Sequence, residues 1–368
     1  MTGTQQKGNH RPHPTEMNDL TERLPEEKSN RRALVTGGTG FIGSHLVKRL
    51  LDAGYTVRVM ARHPDRNNEH RQLSAQQIGT VEWIGASLAD HDQIAACLKD
   101  VDVVFHCAAR ISFHALDRET LYKTNVAGTA RLVDACLEAG VKRLIHLSSV
   151  AALGRSSRED GMVDEFAEWD EKNSPTIYAR SKFLAELEVW RGQEEGLEVA
   201  MAHPSIVIGP GKIDHRGSNR FYQMGRQGMP IYPTGSVGFV DVRDVAEVLY
   251  RLDSNALMGQ KFVLNSVNLS YRAFFQEMAD RTGSRPPRYP LPYLPAMVMA
   301  SALEWLSRLL HKRFPLTRET IRAACTHTQY DGRAVLKAIP DFQYRDFSDT
   351  LNDGLDFNKK ELDQSGFQ

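Results

Sequence analysis

From residue 32 the chain alternates short β-branched runs with longer stretches whose apolar residues recur at helical spacing. The run 33–36 reads as a strand, 41–53 as a helix stopped by Gly54, and 56–61 as the next strand, which together make one strand–helix–strand unit. Further strands are expected at 101–106, 143–148 and 198–202, with helices near 91–99, 116–139 and 177–191. This alternation predicts an α/β fold built on a doubly wound parallel sheet with helices on both faces. After about Ser205 the pattern changes: glycine and proline cluster through 209–238, and helical segments then dominate. The expected division is a sheet domain over 32–205, to which about 236–252 returns, and a smaller, mainly helical substrate-binding region over 206–235 and 253–368. Residues 1–31 are polar, carry Pro12, Pro14 and Pro25, and read as a disordered tail with neither an apolar signal core nor a transit-peptide composition.

Composition narrows the class. With 368 residues, 41% of them apolar, the chain can bury a large core. Its 46 basic and 46 acidic residues are interspersed, so no nucleic-acid footprint is expected. Cys97, Cys107, Cys136 and Cys325 lack metal-type spacing and read as reduced thiols of a cytoplasmic protein, with no metal site. The apolar stretch 294–303 is cut off by Glu304 and Arg308 far short of a membrane span. An amphipathic helix buried against the protein is the preferred reading, and shallow contact with a membrane or an apolar substrate the alternative.

The first strand runs into Thr36-Gly37-Gly38-Thr39-Gly40-Phe41-Ile42-Gly43 and then a helix. Glycines there permit a tight turn and close approach of the backbone to a pyrophosphate, and the helix N-terminus offers unpaired N–H groups to it. Strand, loop and helix in this order identify a candidate dinucleotide site comprising Gly37, Thr39, Gly40, Phe41, Ile42 and Gly43. At the end of the second strand, where an acid usually binds the ribose 2′-hydroxyl of NAD, stand Ala61, Arg62, His63 and, further on, Arg66. A guanidinium forks onto a 2′-phosphate, so NADP is favoured over NAD, with Arg62 as the candidate contact. Ser87 and Leu88 follow the third strand and are candidates to lie along the adenine.

Tyr178 has a lysine, Lys182, one helical turn later. A nearby ammonium favours phenolate, so Lys182 is expected to lower the Tyr178 pKa toward the working pH and make it an acid or base. Ser149 ends a preceding strand, and in a doubly wound sheet ligands bind at the carboxyl ends of strands, so Ser149 and Tyr178 are expected to converge on the cofactor.

The glycine loop, His106-Cys107-Ala108-Ala109, Asn125-Val126-Ala127-Gly128-Thr129, Ser148-Ser149, Tyr178 to Lys182, Pro204 with Gly209-Pro210-Gly211, and Phe239 to Ala246 together resemble the extended short-chain dehydrogenase/reductase family. The closest likeness is to its dihydroflavonol-reductase and 3β-hydroxysteroid-dehydrogenase branches. That resemblance implies a Rossmann-type domain, cofactor contacts that include Ala108, Tyr178, Lys182 and Pro204, and hydride transfer between nicotinamide and a carbonyl carbon. In it Tyr178 moves the oxygen's proton, Ser149 hydrogen-bonds the carbonyl, and Lys182 tunes Tyr178 and binds ribose. A homodimer, paired through the helices bearing Asn125 and Tyr178, is expected by resemblance, and His203 departs from the arginine common before the proline.

Among the family's activities, dehydration of nucleotide sugars lacks its acid, because the chain reads Ser149-Val150-Ala151 where a Thr-Asp-Glu trio would stand. A reductase or dehydrogenase is the first expectation, on an apolar steroid-like, fatty or aromatic substrate met by Phe113, Leu153, Tyr222, Met224, Met229 and the helix after Pro295. A nucleotide-sugar epimerase, with Arg216, Arg220 and Arg226 for a diphosphate, is the alternative. A non-catalytic cofactor-binding sensor or scaffold is a third, disfavoured because both Tyr178 and Lys182 are retained.

Overall fold

The computed structural model describes residues 31–365, apart from 65–71, 155, 157, 171–175, 214–216, 311–313 and 315. The expected tail therefore lies outside the described residues except for Arg31, whose guanidinium pairs with Asp253 at 2.6 Å. Arg66 and Arg216 lie outside them as well.

The strands of the main sheet are β1 (Arg32–Thr36), β2 (Thr56–Ala61), β3 (Glu82–Gly85), β4 (Val103–His106), β5 (Arg143–Leu147) and β6 (Glu198–Pro204). After the shorter β7 (Ile206–Ile208), β8 (Ile231–Tyr232) and β9 (Ser236–Asp241), a seventh strand, β10 (Gln260–Leu264), joins it. The order is β10-β6-β5-β4-β1-β2-β3, and every neighbouring pair is parallel. Alternation along the strands fills both faces. Ala33 and Val35, Val103 and Phe105, and Ala200 and Ala202 enter one core; Leu34, Val104, Val199 and Met201 enter the other. The strand order reverses between β1 and β4, whose ends meet at Thr36 and His106, so the crevice of a doubly wound sheet opens there.

Helices α1 (Phe41–Asp52), α2 (Ala75–Thr80), α3 (His91–Cys97), α4 (Arg118–Leu121), α5 (Ala127–Glu138) and α6 (Ile177–Glu194) connect the strands. Then follow α7 (Arg220–Gln227), α8 (Val242–Ser254), α9 (Tyr271–Thr282), α10 (Tyr293–Leu310), α11 (Arg318–Ala324), α12 (Arg333–Ala338) and α13 (Phe347–Ser365). Helix α8 lies against α1. Strand β10 falls in the stretch that the sequence pattern assigned to the substrate region. A five-residue strand between helices carries too little periodicity to be separated from its surroundings.

Two more differences bear on function. The helix expected over 116–139 is interrupted by a π-helical turn at Tyr122–Val126, so that Asn125 is turned inward. Helix α10 was expected to bury its apolar face. Instead Ala296, Ala300 and Ser307 pack inward, and Leu294, Val298, Trp305 and Leu309 face solvent.

Candidate active site

Three glycines of the first loop, Gly37, Gly40 and Gly43, meet different constraints. Gly37 has φ +72°, and a Cβ there would stand 2.7 Å from the Ala108 nitrogen. A Cβ on Gly43 would lie 2.1 Å from the Gly37 carbonyl oxygen, backbone against backbone. Gly40 is less confined, at 3.2 Å from that oxygen, and caps α1 without a side-chain hydrogen bond or an acid in the first turn. The N-terminus of α1 thus keeps its N–H groups and positive dipole for an anion, and the loop fits a dinucleotide pyrophosphate. Gly43→Ala is expected to cost about 1–3 kcal/mol or more by overpacking and to abolish cofactor protection. Thermal melts with and without NADPH check this; an unchanged melting shift would show that the loop tolerates the methyl group.

The loop is braced from two sides. Thr36 accepts from the Ala108 N–H at 3.2 Å and so donates its hydroxyl to His106 Nδ1 at 2.7 Å. The other imidazole nitrogen then donates to Thr129 at 3.0 Å, and Thr129 donates to the Asn125 carbonyl. This assigns the tautomer from the network, and burial holds the His106 pKa down to about 3, so the ring is neutral. Across the loop, His45 Nε2 meets the Pro210 carbonyl at 2.8 Å and the Phe41 ring closes over Gly211.

The remaining nucleotide candidates divide. Arg62 is exposed at the carboxyl end of β2. The Ser87 hydroxyl already accepts from the Ala89 N–H at 3.2 Å. Leu88 is buried under Gly128 in the sheet core, so its side chain packs the fold rather than facing a ligand. Pro204 is likewise buried, as the last residue of β6 paired with Leu264.

The three polar candidates converge at the end of β5. Ser149 follows that strand in extended conformation and accepts from the Ala151 N–H at 3.2 Å, and it shares a hydrogen bond with the Tyr178 phenol. Tyr178 lies in the first turn of α6, which Thr176 caps by accepting from the Ala179 N–H at 2.9 Å. The Phe113 ring stands edge-on to it, centroids 5.7 Å apart.

Lys182 corrects one expectation. It is almost fully buried, and its ammonium donates to the Leu147 carbonyl at 2.8 Å and stands 3.4 Å from His146 Nε2. Burial raises the Tyr178 pKa to about 12, against the lowering hydrogen bond from Ser149, so the tyrosine is a protonated phenol rather than a group near its working pKa. Lys182 itself is pulled down to about 8 by burial, with Glu186 and Cys107 opposing.

Sequence reasoning named Asn125, as a helix position with either a supporting or a structural role, and His203, but not the partners that join them into a polar framework behind these residues. Asn125 accepts from the Arg110 N–H at 2.7 Å and donates to the Arg110 carbonyl and to Ser181, tying the loop that carries Phe113 to α6. His203 meets Glu186 Oε1 at 2.8 Å, with Ser148 donating to the same oxygen. The departure from arginine at 203 is thereby matched by a buried carboxylate one turn after Lys182. Of the residues assigned to a substrate pocket, Phe113 reaches Tyr178. Tyr222, fully buried with its hydroxyl donating to the Thr350 carbonyl, belongs with Met224 and Met229 to the core of the later region, and Leu153 to a separate small core.

Comparison with known proteins identifies the family. The family model described as the NAD dependent epimerase/dehydratase family matches residues 33–264. Cinnamoyl-CoA reductase 2 of Arabidopsis thaliana is 31% identical over 283 residues, covering 70% of this chain and 78% of its own length. Sterol demethylase protein B of Methylococcus capsulatus is 30% identical over 288 residues, covering 76% and 82%. The crystal structure of gox2253 superposes with a TM-score of 0.74 at 30% identity, covering 92% of this chain and 99% of that one. With its glycine loop at the β1/β4 crevice, the chain belongs to the NAD dependent epimerase/dehydratase family, the extended short-chain dehydrogenases/reductases, and is an enzyme that acts on CH–OH or carbonyl groups with a nicotinamide cofactor.

Proposed function

We propose that the enzyme is an NADP-preferring reductase of an apolar ketone or aldehyde, working with Tyr178 as proton donor. The observation that carries this is the Tyr178 phenol, held protonated by burial, hydrogen-bonded to Ser149 and bordered by the Phe113 ring. Gly37, Thr39, Gly40, Phe41, Ile42 and Gly43 hold the pyrophosphate, Ala108 lines the crevice, and Arg62 meets the 2′-phosphate. The nicotinamide supplies the hydride. Ser149 and Tyr178 hydrogen-bond the substrate oxygen, and the phenolic proton passes to that oxygen as the carbonyl carbon is reduced. In the resting site the Lys182 ammonium is held by the Leu147 carbonyl at 2.8 Å, and its charge is assigned to offset the phenolate once the proton has left. Relatives named for sterol and cinnamoyl-CoA chemistry support an apolar substrate, as does an aromatic ring rather than a charged side chain against Tyr178.

Titration of the purified protein with NADPH and NADH, followed by a panel of aromatic and steroid ketones and UDP-sugars, tests the reading. NADPH is expected to bind more tightly, and Arg62→Ala to weaken NADPH by about tenfold while leaving NADH nearly unchanged. Epimerised UDP-sugar without net oxidation would replace the reductase by an epimerase. Equal loss of both cofactors in Arg62→Ala would remove the 2′-phosphate assignment.

A further inference from the structure

Helix α10 is turned inside out relative to an ordinary amphipathic helix. Its small residues Ala296 and Ala300 pack with Ile321 of α11, while Leu294, Val298, Trp305 and Leu309 are 74%, 71%, 66% and 61% exposed. Their spacings of four, seven and four residues place all four on one stripe, with Ser301 between them. Met299 and Leu310 widen the apolar face. A monomeric soluble surface rarely presents so many large apolar side chains side by side.

Charge identifies the occupant. The whole chain is neutral, yet between 283 and 325 it carries seven lysine and arginine residues against only Glu304 and Glu319. Both acids are engaged within the protein: Glu304 accepts from the Arg318 N–H at 2.8 Å, and Glu319 from the Ile177 N–H at 3.3 Å. Arg285 and Arg288, which precede the helix, are exposed, as are Arg318 and Arg322 after it. The sequence His311-Lys312-Arg313 directly follows the apolar stripe. A protein partner fitting an apolar stripe need not be anionic, but an anionic lipid surface presents both complements at once, acyl chains to the stripe and headgroups to the flanking cations.

We propose that α10 is an interfacial helix that docks the enzyme on an anionic membrane surface, with Leu294, Val298, Trp305 and Leu309 entering the headgroup–acyl boundary. Among the described residues no helix is long and apolar enough to cross a membrane, so the attachment is peripheral and reversible. The docking surface adjoins the candidate active site. Ser307 of α10 hydrogen-bonds His114 at 2.9 Å, the residue after Phe113, and Glu319 of α11 holds the N–H of Ile177 beside Tyr178. An apolar compound dissolved in the bilayer would therefore reach the enzyme next to the Phe113 loop.

The inference rests on the exposed stripe and its charge, not on which cofactor or carbonyl compound is used, and its test reads binding rather than turnover. The full chain is sedimented with vesicles of phosphatidylcholine, with and without phosphatidylglycerol. Binding is expected only with the anionic lipid, weakened by salt, and reduced about tenfold or more in Val298→Glu/Trp305→Glu. In parallel, brominated acyl chains are expected to quench wild-type tryptophan fluorescence, and Trp305→Phe to lose most of that quenching. These substitutions lie at exposed positions, and a melting curve confirms folding. Sedimentation that ignores lipid charge, or that survives the double variant, overturns the proposal. So does a concentration-dependent dimer dissociated by the double variant without vesicle binding, since the stripe would then be covered by a second copy of the chain.

Discussion

Tyr178→Phe is expected to lower kcat for NADPH-dependent ketone reduction by about a thousandfold while changing the cofactor dissociation constant by only about twofold, because the phenol's main contribution is a proton and its cofactor contact is one among many. The substituted ring keeps the edge-on packing with Phe113 and loses only the hydroxyl shared with Ser149. Burial pushes the phenol up to about 12, so in the reductive direction it carries its proton around neutrality. Ser149→Ala should cost less, about tenfold to a hundredfold, since it removes one hydrogen bond to the substrate oxygen and leaves the donor in place. Single-turnover absorbance at the NADPH band checks both variants. If Tyr178→Phe turned over at the wild-type rate, the proton would come from elsewhere and the proposed role of Ser149 would fall with it.

The contrast between what was legible in the sequence and what was not follows from periodicity. Period-two burial in β1, β4 and β6 and the strand–glycine–helix order are local signals, and a short window contains them whole. Gly37 and Gly43 could be singled out because no other residue fits where backbone passes backbone. The environment of Lys182 could not be read in the same way. The rung 178, 182 gives the side of a helix but not the depth at which it lies, and depth decides whether an ammonium lowers a phenol or is itself depressed. Continuing the same rung one turn would have reached Glu186, and the histidine at 203 was the remaining clue to its partner. Asn125 needed the π turn, which leaves no mark in hydrophobic spacing. On α10 a stretch apolar except for Ser301 reads as a helix with its apolar face buried, although Ala296, Ala300 and Ser307 are the buried positions while Leu294, Val298 and Trp305 face outward. Small residues pack helix to helix closely and exclude the large ones from the contact, so apolar content alone did not tell which side was inside.

Glu186→Gln is expected to move the alkaline limb of kcat/KM to lower pH by about one unit. In the wild type, burial depresses Lys182 to about 8, and the Glu186 carboxylate one turn along the helix is among the groups that raise it. A charged Lys182 is the form that favours transfer of the Tyr178 proton, so activity is present below the lysine pKa and is lost as pH rises through it. Removing the carboxylate removes the larger of the two influences that oppose desolvation, Cys107 being the other, so the loss begins earlier. The surrounding imidazoles cannot substitute: burial holds His146 well below its ordinary value, and His106 at about 3, so neither carries charge near neutrality. Burial alone would raise Glu186; His203 and Ser148 outweigh it and keep the pKa below the usual range, so the carboxylate is ionised wherever Lys182 titrates. The amide retains an acceptor for Ser148 and His203, which limits the stability cost to about 1–3 kcal/mol. Truncation to alanine, which strands buried polar partners, should cost about 3–5 kcal/mol. Glu186→Asp restores a negative charge at slightly greater distance, and its limb should lie between those of the wild type and the glutamine variant. A limb that stays put in Glu186→Gln while the melting temperature falls would assign Glu186 to packing alone. The expected shift, with partial recovery in aspartate, would identify it as the buried counter-charge that positions the lysine for catalysis.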